Sequence, residues 1–202
     1  MNVKICGIKD VETAKAACEY GADALGFVFA PSKRKITPEE AKNIIKKLPS
    51  DVLKVGVFVN EPVESVEEIA SFCNLDFVQL HGDEDKAYLE KLHTPFIQAF
   101  GVSNEQEVEQ ALTSKASYIL LDSPKGVYHG GNGTSFSWDI LRMLTNEQRK
   151  RLILAGGLNT DNVQDAIKIA KPFMVDASSS LETNGIKDIE KIRQFIQKVK
   201  EC

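Results

Sequence analysis

The chain has 202 residues, with 25 lysines and arginines against 29 aspartates and glutamates, for a net charge of −4. The cations are scattered rather than blocked, so composition excludes the basic footprint of a nucleic-acid binder. No apolar run reaches membrane-spanning length, and Met1-Asn2-Val3-Lys4 carries no secretory pattern, so a cytoplasmic protein with neither nucleic-acid nor membrane partners is expected.

Short apolar runs alternate with helical patterns from one end to the other. The spacing predicts strands over 3–6, 24–29, 54–59, 77–80, 96–100, 118–121, 152–154 and 173–175. Between them it predicts helices over 11–20, 38–48, 63–72, 86–92, 105–112, 137–143, 161–170 and 188–200. Such alternation argues for a parallel sheet with helices packed outside it. An open doubly wound sheet is one arrangement of these units, and a closed (β/α)₈ TIM barrel is the other. Two features favour closure. The chain starts on a strand and ends on a helix, in whole units. The first strand is followed by Gly7 alone, without the GxGxxG turn of a dinucleotide-binding sheet. No linker or low-complexity run divides the chain, so residues 1–202 read as a single barrel domain.

In a barrel, chemistry belongs at the C-terminal ends of the strands. Taken in order, those ends offer Lys4 and Cys6, then Ser32, Lys33 and Arg34, then Asn60, then Gln79 and His81. Gln98 and Asp122 follow, then Gly156 and Gly157, and finally Asp176, Ser178 and Ser179. The last two ends are the most telling. Leu152-Ile153-Leu154-Ala155 leads into a glycine pair, and a helix capped by Asn159 or Thr160 follows. Phe173-Met174-Val175 leads into Asp176 and a run of serines. Two successive small-residue turns at strands seven and eight would point backbone N–H groups at one spot, the common phosphate position of a barrel.

Cys6 and Asp122 qualify as a base and an acid. A thiolate beside Lys4 accepts a proton readily, and a carboxyl in a partly closed site keeps one near neutral pH. Taken singly, Cys6 is more commonly a small buried hydrophobe and Asp122 a cap before Ser123-Pro124, and spacing alone does not displace those readings. His81 is the one histidine at a strand end, and His93 and His129 lie in connections. Cys6, Cys18, Cys73 and Cys202 lack metal-ligand spacing and no histidine pair has it, so no metal is expected. The stretch 123–136, with Gly126, Gly130, Gly131 and Gly133, is long for a strand-to-helix connection and reads as a lid over the mouth.

The ordered set of strand-end motifs resembles the phosphoribosylanthranilate isomerase family, the (β/α)₈ enzymes of tryptophan biosynthesis. The resemblance rests on Lys4-Ile5-Cys6-Gly7-Ile8, on Ala24-Leu25-Gly26-Phe27-Val28-Phe29 with Ser32 to Arg34, and on Gly56-Val57-Phe58-Val59-Asn60. It continues through Gln79-Leu80-His81-Gly82, Leu121-Asp122 and Gly130-Gly131-Asn132-Gly133 to Ala155-Gly156-Gly157-Leu158 and Val175-Asp176-Ala177-Ser178-Ser179. Two departures fall in ligand-contact loops. The glycine loop runs Gly-Gly-Asn-Gly-Thr-Ser-Phe where the family often has a threonine and a lysine, and Ser180 stands where a glycine is usual.

The resemblance implies an Amadori rearrangement of N-(5-phosphoribosyl)anthranilate to 1-(2-carboxyphenylamino)-1-deoxyribulose 5-phosphate without a cofactor. It implies Asp122 as general acid and Cys6 as general base. Arg34 would hold the anthranilate carboxylate, and Gly156, Gly157, Ser178 and Ser179 the phosphate. His81 and Asp176 would stand near the ribose. The sole partner implied is this small phosphosugar, bound by a monomer or a homodimer. A ProFAR isomerase would carry a carboxylate where Cys6 stands, and a pentose-phosphate epimerase would need metal ligands. A non-catalytic phosphosugar-binding barrel would be expected to lack the acid or the base.

Overall fold

The computed structural model describes residues 1–123 and 137–202. Eight parallel strands close into a barrel in sequence order. They are β1 (Asn2–Cys6), β2 (Ala24–Val28), β3 (Leu53–Phe58) and β4 (Phe77–Leu80), then β5 (Phe96–Gly101), β6 (Tyr118–Asp122), β7 (Leu152–Leu154) and β8 (Met174–Ala177). The outer layer holds α1 (Val11–Glu19), α2 (Pro38–Ile45), α3 (Val63–Cys73), α4 (Lys86–Leu89), α5 (Glu105–Leu112), α6 (Asn146–Arg149), α7 (Val163–Ala170) and α8 (Ile189–Lys200).

Side chains alternate across each strand, which gives two apolar layers. Ala24, Val55, Ile97, Leu120, Ile153 and Met174 fill the barrel interior. Leu25, Phe58, Val78, Leu121, Leu154 and Val175 point outward, to the core shared with the helices. Each large apolar side chain buried there contributes about 1.5–3 kcal/mol. The floor of the barrel is aromatic. Tyr118 lies edge-on to Phe77 at 5.6 Å and stacks on Phe173 at 4.9 Å. Local polar groups start the helices. The Asp10, Asn104 and Asp188 side chains accept the first free N–H groups of α1, α5 and α8, and Thr37 with Glu40 forms a capping box on α2.

The alternation read from the sequence is present as eight strands, but the helices expected over 38–48 and 86–92 end earlier, at Ile45 and Leu89, and there are three further local differences. Where a helix over 137–143 was expected, the chain forms a 3₁₀ helix over Trp138–Met143 and then the short α6. Trp138, Leu141 and Leu144 recur every third residue and all pack inward, and that spacing aligns side chains in a 3₁₀ rather than an α-helix. Thr145 then caps a new helix with Gln148. Next, α7 starts at Val163 rather than at 161, because the Asn159 side chain accepts from the Asp161 and Asn162 N–H groups and holds them in a turn. Finally, a small antiparallel hairpin, β9 (Glu182–Thr183) and β10 (Ile186–Lys187), lies between β8 and α8. It turns on Asn184 and Gly185, both at positive φ, the Asn-Gly signal of a tight hairpin turn.

Candidate active site

Two inter-strand registers build the floor of the site. In the pairing of β1 with β8, Lys4 stands opposite Asp176, and in the pairing of β1 with β2, Cys6 stands opposite Gly26. Lys4 is wholly buried, and its Nζ lies 3.0 Å from Asp176 Oδ2. Burial opposes the Lys4 charge, but Asp176 and Cys6 beside it outweigh that and hold the ammonium above its ordinary pKa. Burial likewise pushes the Cys6 thiol up, against the pull of Lys4. Gly26 is what lets the sulfur sit there. A Cβ on Gly26 would lie 2.7 Å from Cys6 Sγ, far inside van der Waals contact.

Asp122 ends β6 with one oxygen fixed. The Ser123 N–H donates to Oδ1 at 2.6 Å. His81 Nε2 lies 3.9 Å from the other oxygen, and the His81 backbone is itself tied to the Phe58 carbonyl. Burial raises the Asp122 carboxyl, while His81 and the Ser123 N–H pull it only part of the way back. The glycine after β7 completes this corner. Gly156 has φ +84°, and a Cβ on it would meet Ser123 N and Oγ at 2.6 Å and Asp122 Oδ1 at 2.9 Å. Only a residue without a side chain turns the chain so close above the carboxyl.

Cys6, Arg34, His81, Asp122, Asp176 and the 156–157 and 178–179 turns all line one pocket of about 300 Å³ at the C-terminal ends of the strands. Every site residue expected from the sequence therefore borders the same space. Each of two acceptors there lacks a hydrogen-bond partner among the described residues: Asp176 Oδ1 and Gln79 Oε1, both buried. The N–H groups of Gly157, Ser179 and Ser180 likewise take no partner among the described residues. The Ser178 hydroxyl is committed elsewhere, donating to the Cys6 carbonyl at 3.0 Å. Ser180, the departure from the usual glycine, donates to the Leu158 carbonyl at 2.5 Å and so ties the β8 turn to the β7 turn.

Arg34 reaches the pocket but also grips Glu182 with two bonds, Nε to Oε1 at 2.5 Å and Nη2 to Oε2 at 2.9 Å. Neither Glu182 nor its second cation, Lys187, was singled out from the sequence. The Asn184-Gly185 turn that brings them in was the available signal. Lys4 was noted as a neighbour of Cys6, but its pairing with Asp176 depends on a contact 172 residues apart. The expected lid with Gly126, Gly130, Gly131 and Gly133, and His129, lie outside the described residues. A larger depression of about 520 Å³ lies at the opposite rim, by Met1 and the ends of α7 and α8, away from all these groups. Among the described residues no cluster of His, Cys, Asp or Glu is arranged to hold a metal ion, and no helix is long and apolar enough to cross a membrane.

Comparison with known proteins meets this geometry. A protein from Bacillus cereus (strain ATCC 14579) named N-(5'-phosphoribosyl)anthranilate isomerase is 59% identical over 200 residues, which is 99% of each chain. The crystal structure of phosphoribosyl anthranilate isomerase from Thermotoga maritima superposes with a TM-score of 0.90 at 44% identity, over 100% of both chains. A phosphoribosyl anthranilate isomerase in complex with reduced 1-(o-carboxyphenylamino)-1-deoxyribulose 5-phosphate superposes at 0.86 with 42% identity, again over 100% of both. The family model of N-(5'-phosphoribosyl)anthranilate (PRA) isomerase matches residues 3–198. Nearly the whole chain is thus accounted for, strand by strand, and it belongs to the N-(5'-phosphoribosyl)anthranilate isomerase family, whose reaction is a step of tryptophan biosynthesis.

Proposed function

We propose that the pocket isomerises N-(5'-phosphoribosyl)anthranilate with Asp122 as general acid and Cys6 as general base. One observation carries the reading. A carboxyl raised by burial and a thiol beside a buried ammonium, from β6 and β1, open into one pocket of about 300 Å³. Asp122 gives its proton to the furanose ring oxygen, and the ring opens to an iminium at C1′. The cationic nitrogen then draws electrons as Cys6 thiolate takes the proton from C2′. The enolamine so formed tautomerises, moving one proton from O2′ to C1′, and the aminoketose results. The proton gained by Cys6 and the one lost by Asp122 exchange with solvent. The substrate nitrogen is the electron sink, so the chain supplies acid, base and position.

Around that axis, the remaining groups bind. Asp176 Oδ1 and Gln79 Oε1 are buried acceptors without partners among the described residues, and ribose hydroxyls satisfy such acceptors. The Arg34 guanidinium suits the planar anthranilate carboxylate. The phosphate goes to the backbone N–H groups of Gly157, Ser179 and Ser180. With the Ser178 hydroxyl engaged by Cys6, recognition there is by main chain more than by hydroxyl. Every group named stands on one chain, so specific activity is expected not to vary with protein concentration.

The test follows loss of substrate fluorescence with freshly generated N-(5'-phosphoribosyl)anthranilate. Ser179→Asp puts a carboxylate beside the phosphate position and should raise KM at least about tenfold, the equivalent of about 1.4 kcal/mol. An unchanged KM in that variant moves the phosphate elsewhere.

A further inference from the structure

We infer that Glu182 is a positioning residue for Arg34, holding the guanidinium from behind so that its far edge meets the substrate carboxylate. The inference rests on the reading of Arg34 as the carboxylate ligand. A guanidinium has two edges, each able to present a pair of N–H donors to a carboxylate. Glu182 takes the edge formed by Nε and Nη2. The edge formed by Nη1 and the second Nη2 hydrogen is the one assigned to the substrate.

Three observations make Glu182 a brace rather than an occupant that the substrate must displace. The first is its side of the guanidinium. Arg34 borders both the active-site pocket and a second cavity of about 170 Å³, whereas Glu182 lines only the second. The carboxylate therefore approaches from outside the pocket. The second is its anchorage. Lys187 Nζ donates to Glu182 Oε1 at 2.8 Å and to the Ser178 carbonyl at 2.9 Å, and Lys191 Nζ donates to the Glu182 carbonyl at 2.8 Å. The Lys187 side chain is 4% exposed and that of Glu182 is 10%. A side chain so held keeps its place when the other edge of Arg34 takes an anion. The third is charge. Burial opposes ionisation of Glu182, but the Arg34 and Lys187 hydrogen bonds hold its carboxyl below the ordinary value, so it is an anion across the working range. The hairpin thereby joins the carboxylate end of the pocket to its base. Lys187 also donates to the Ser178 hydroxyl at 3.3 Å, and that hydroxyl donates to the Cys6 carbonyl.

A brace and a competitor predict opposite signs. The experiment measures kcat and KM of wild type, Glu182→Gln, Glu182→Asp and Arg34→Met on two substrates, N-(5'-phosphoribosyl)anthranilate and N-(5'-phosphoribosyl)aniline, which lacks the carboxylate. A charge-assisted pair is worth about ten- to a hundredfold, so Glu182→Gln should raise KM for the anthranilate substrate by about that factor. The same variant should match wild type on the aniline substrate. Glu182→Asp keeps the charge but draws it back by one methylene, and it should show the same selectivity at smaller size. It also serves as the readout if Glu182→Gln does not fold. A lower KM on the anthranilate substrate, or an equal penalty on both substrates, overturns the inference. Discrimination by Arg34→Met without discrimination by either Glu182 variant overturns it while leaving the role of Arg34 standing. An Arg34→Met variant that treats both substrates alike removes the carboxylate reading and the inference together.

Discussion

The two groups proposed as base and acid are both displaced upward from their ordinary titration by burial, and the proposed roles then fix the pH behaviour. In the proposed roles, Asp122 acts only when protonated and Cys6 only when ionised. Because the carboxyl titrates below the thiol, the productive pair is a minority species at every pH. Between the two values each gain in thiolate is cancelled by loss of acid, and kcat/KM is flat. Below the raised Asp122 value, thiolate is lost without compensation. Above the raised Cys6 value, acid is lost without compensation. A flat-topped bell is therefore expected. Its alkaline limb should vanish from the accessible range in Cys6→Ser, whose hydroxyl has a far higher pKa. An unmoved alkaline limb in that variant would assign it to another group. Asp122 also bears on stability. Its folded-state pKa is raised, so the stability it contributes is complete below the unfolded carboxyl value and is lost as pH rises through the folded value. Above that folded value the ionised carboxylate weighs against folding, and Asp122→Asn should melt there at an equal or higher temperature, an advantage that fades in acid. A lower melting temperature of the variant on the alkaline side would show that His81 and Ser123 more than offset the burial.

At the level of elements, the site is a product of register. Cys6 faces Gly26 across β1 and β2, so the neighbouring strand sets where the sulfur lies. Gly26→Ala adds a methyl 2.7 Å from Sγ and forces the thiol to move, with the Cys6 backbone 3.1 Å away as the next obstacle. A misplacement near 1 Å in a reacting group costs about 10²-fold, so kcat should fall by about that much with circular dichroism unchanged. Wild-type kcat in the folded variant would mean that the sulfur position is not critical. The elements also show what a sequence discloses. Buried parallel strands are short apolar runs, and all eight were legible to within two residues at each end, which was enough to place Cys6, His81, Asp122 and Asp176 at the mouth. The pairing of Lys4 with Asp176 was not, because it arises only when the first and last strands meet. The Glu182 hairpin was missed for another reason. Its strands have two residues each, too few for alternation to register, and only the Asn-Gly turn marks it.

The whole molecule is a device for gathering distant residues. Cys6 and Asp122 stand on strands from opposite halves of the chain, and closure of the barrel sets both over one apolar filling with an aromatic floor beneath. Closure was legible from the whole βα units, while the contents of the mouth needed the family motifs as well, since a cysteine or an aspartate at a strand end has ordinary structural uses. The division of labour between these two residues is tested most directly by steady-state kinetics of Cys6→Ala and Asp122→Ala, each checked for folding by circular dichroism. A general acid or base contributes about 10²–10⁴-fold, so both variants should lose kcat by such a factor. Spontaneous ring opening in solution partly replaces the acid but nothing replaces the base, so Cys6→Ala should be at least as impaired as Asp122→Ala. Near wild-type kcat in folded Cys6→Ala would contradict this and leave Cys6 a buried hydrophobe at the end of a strand.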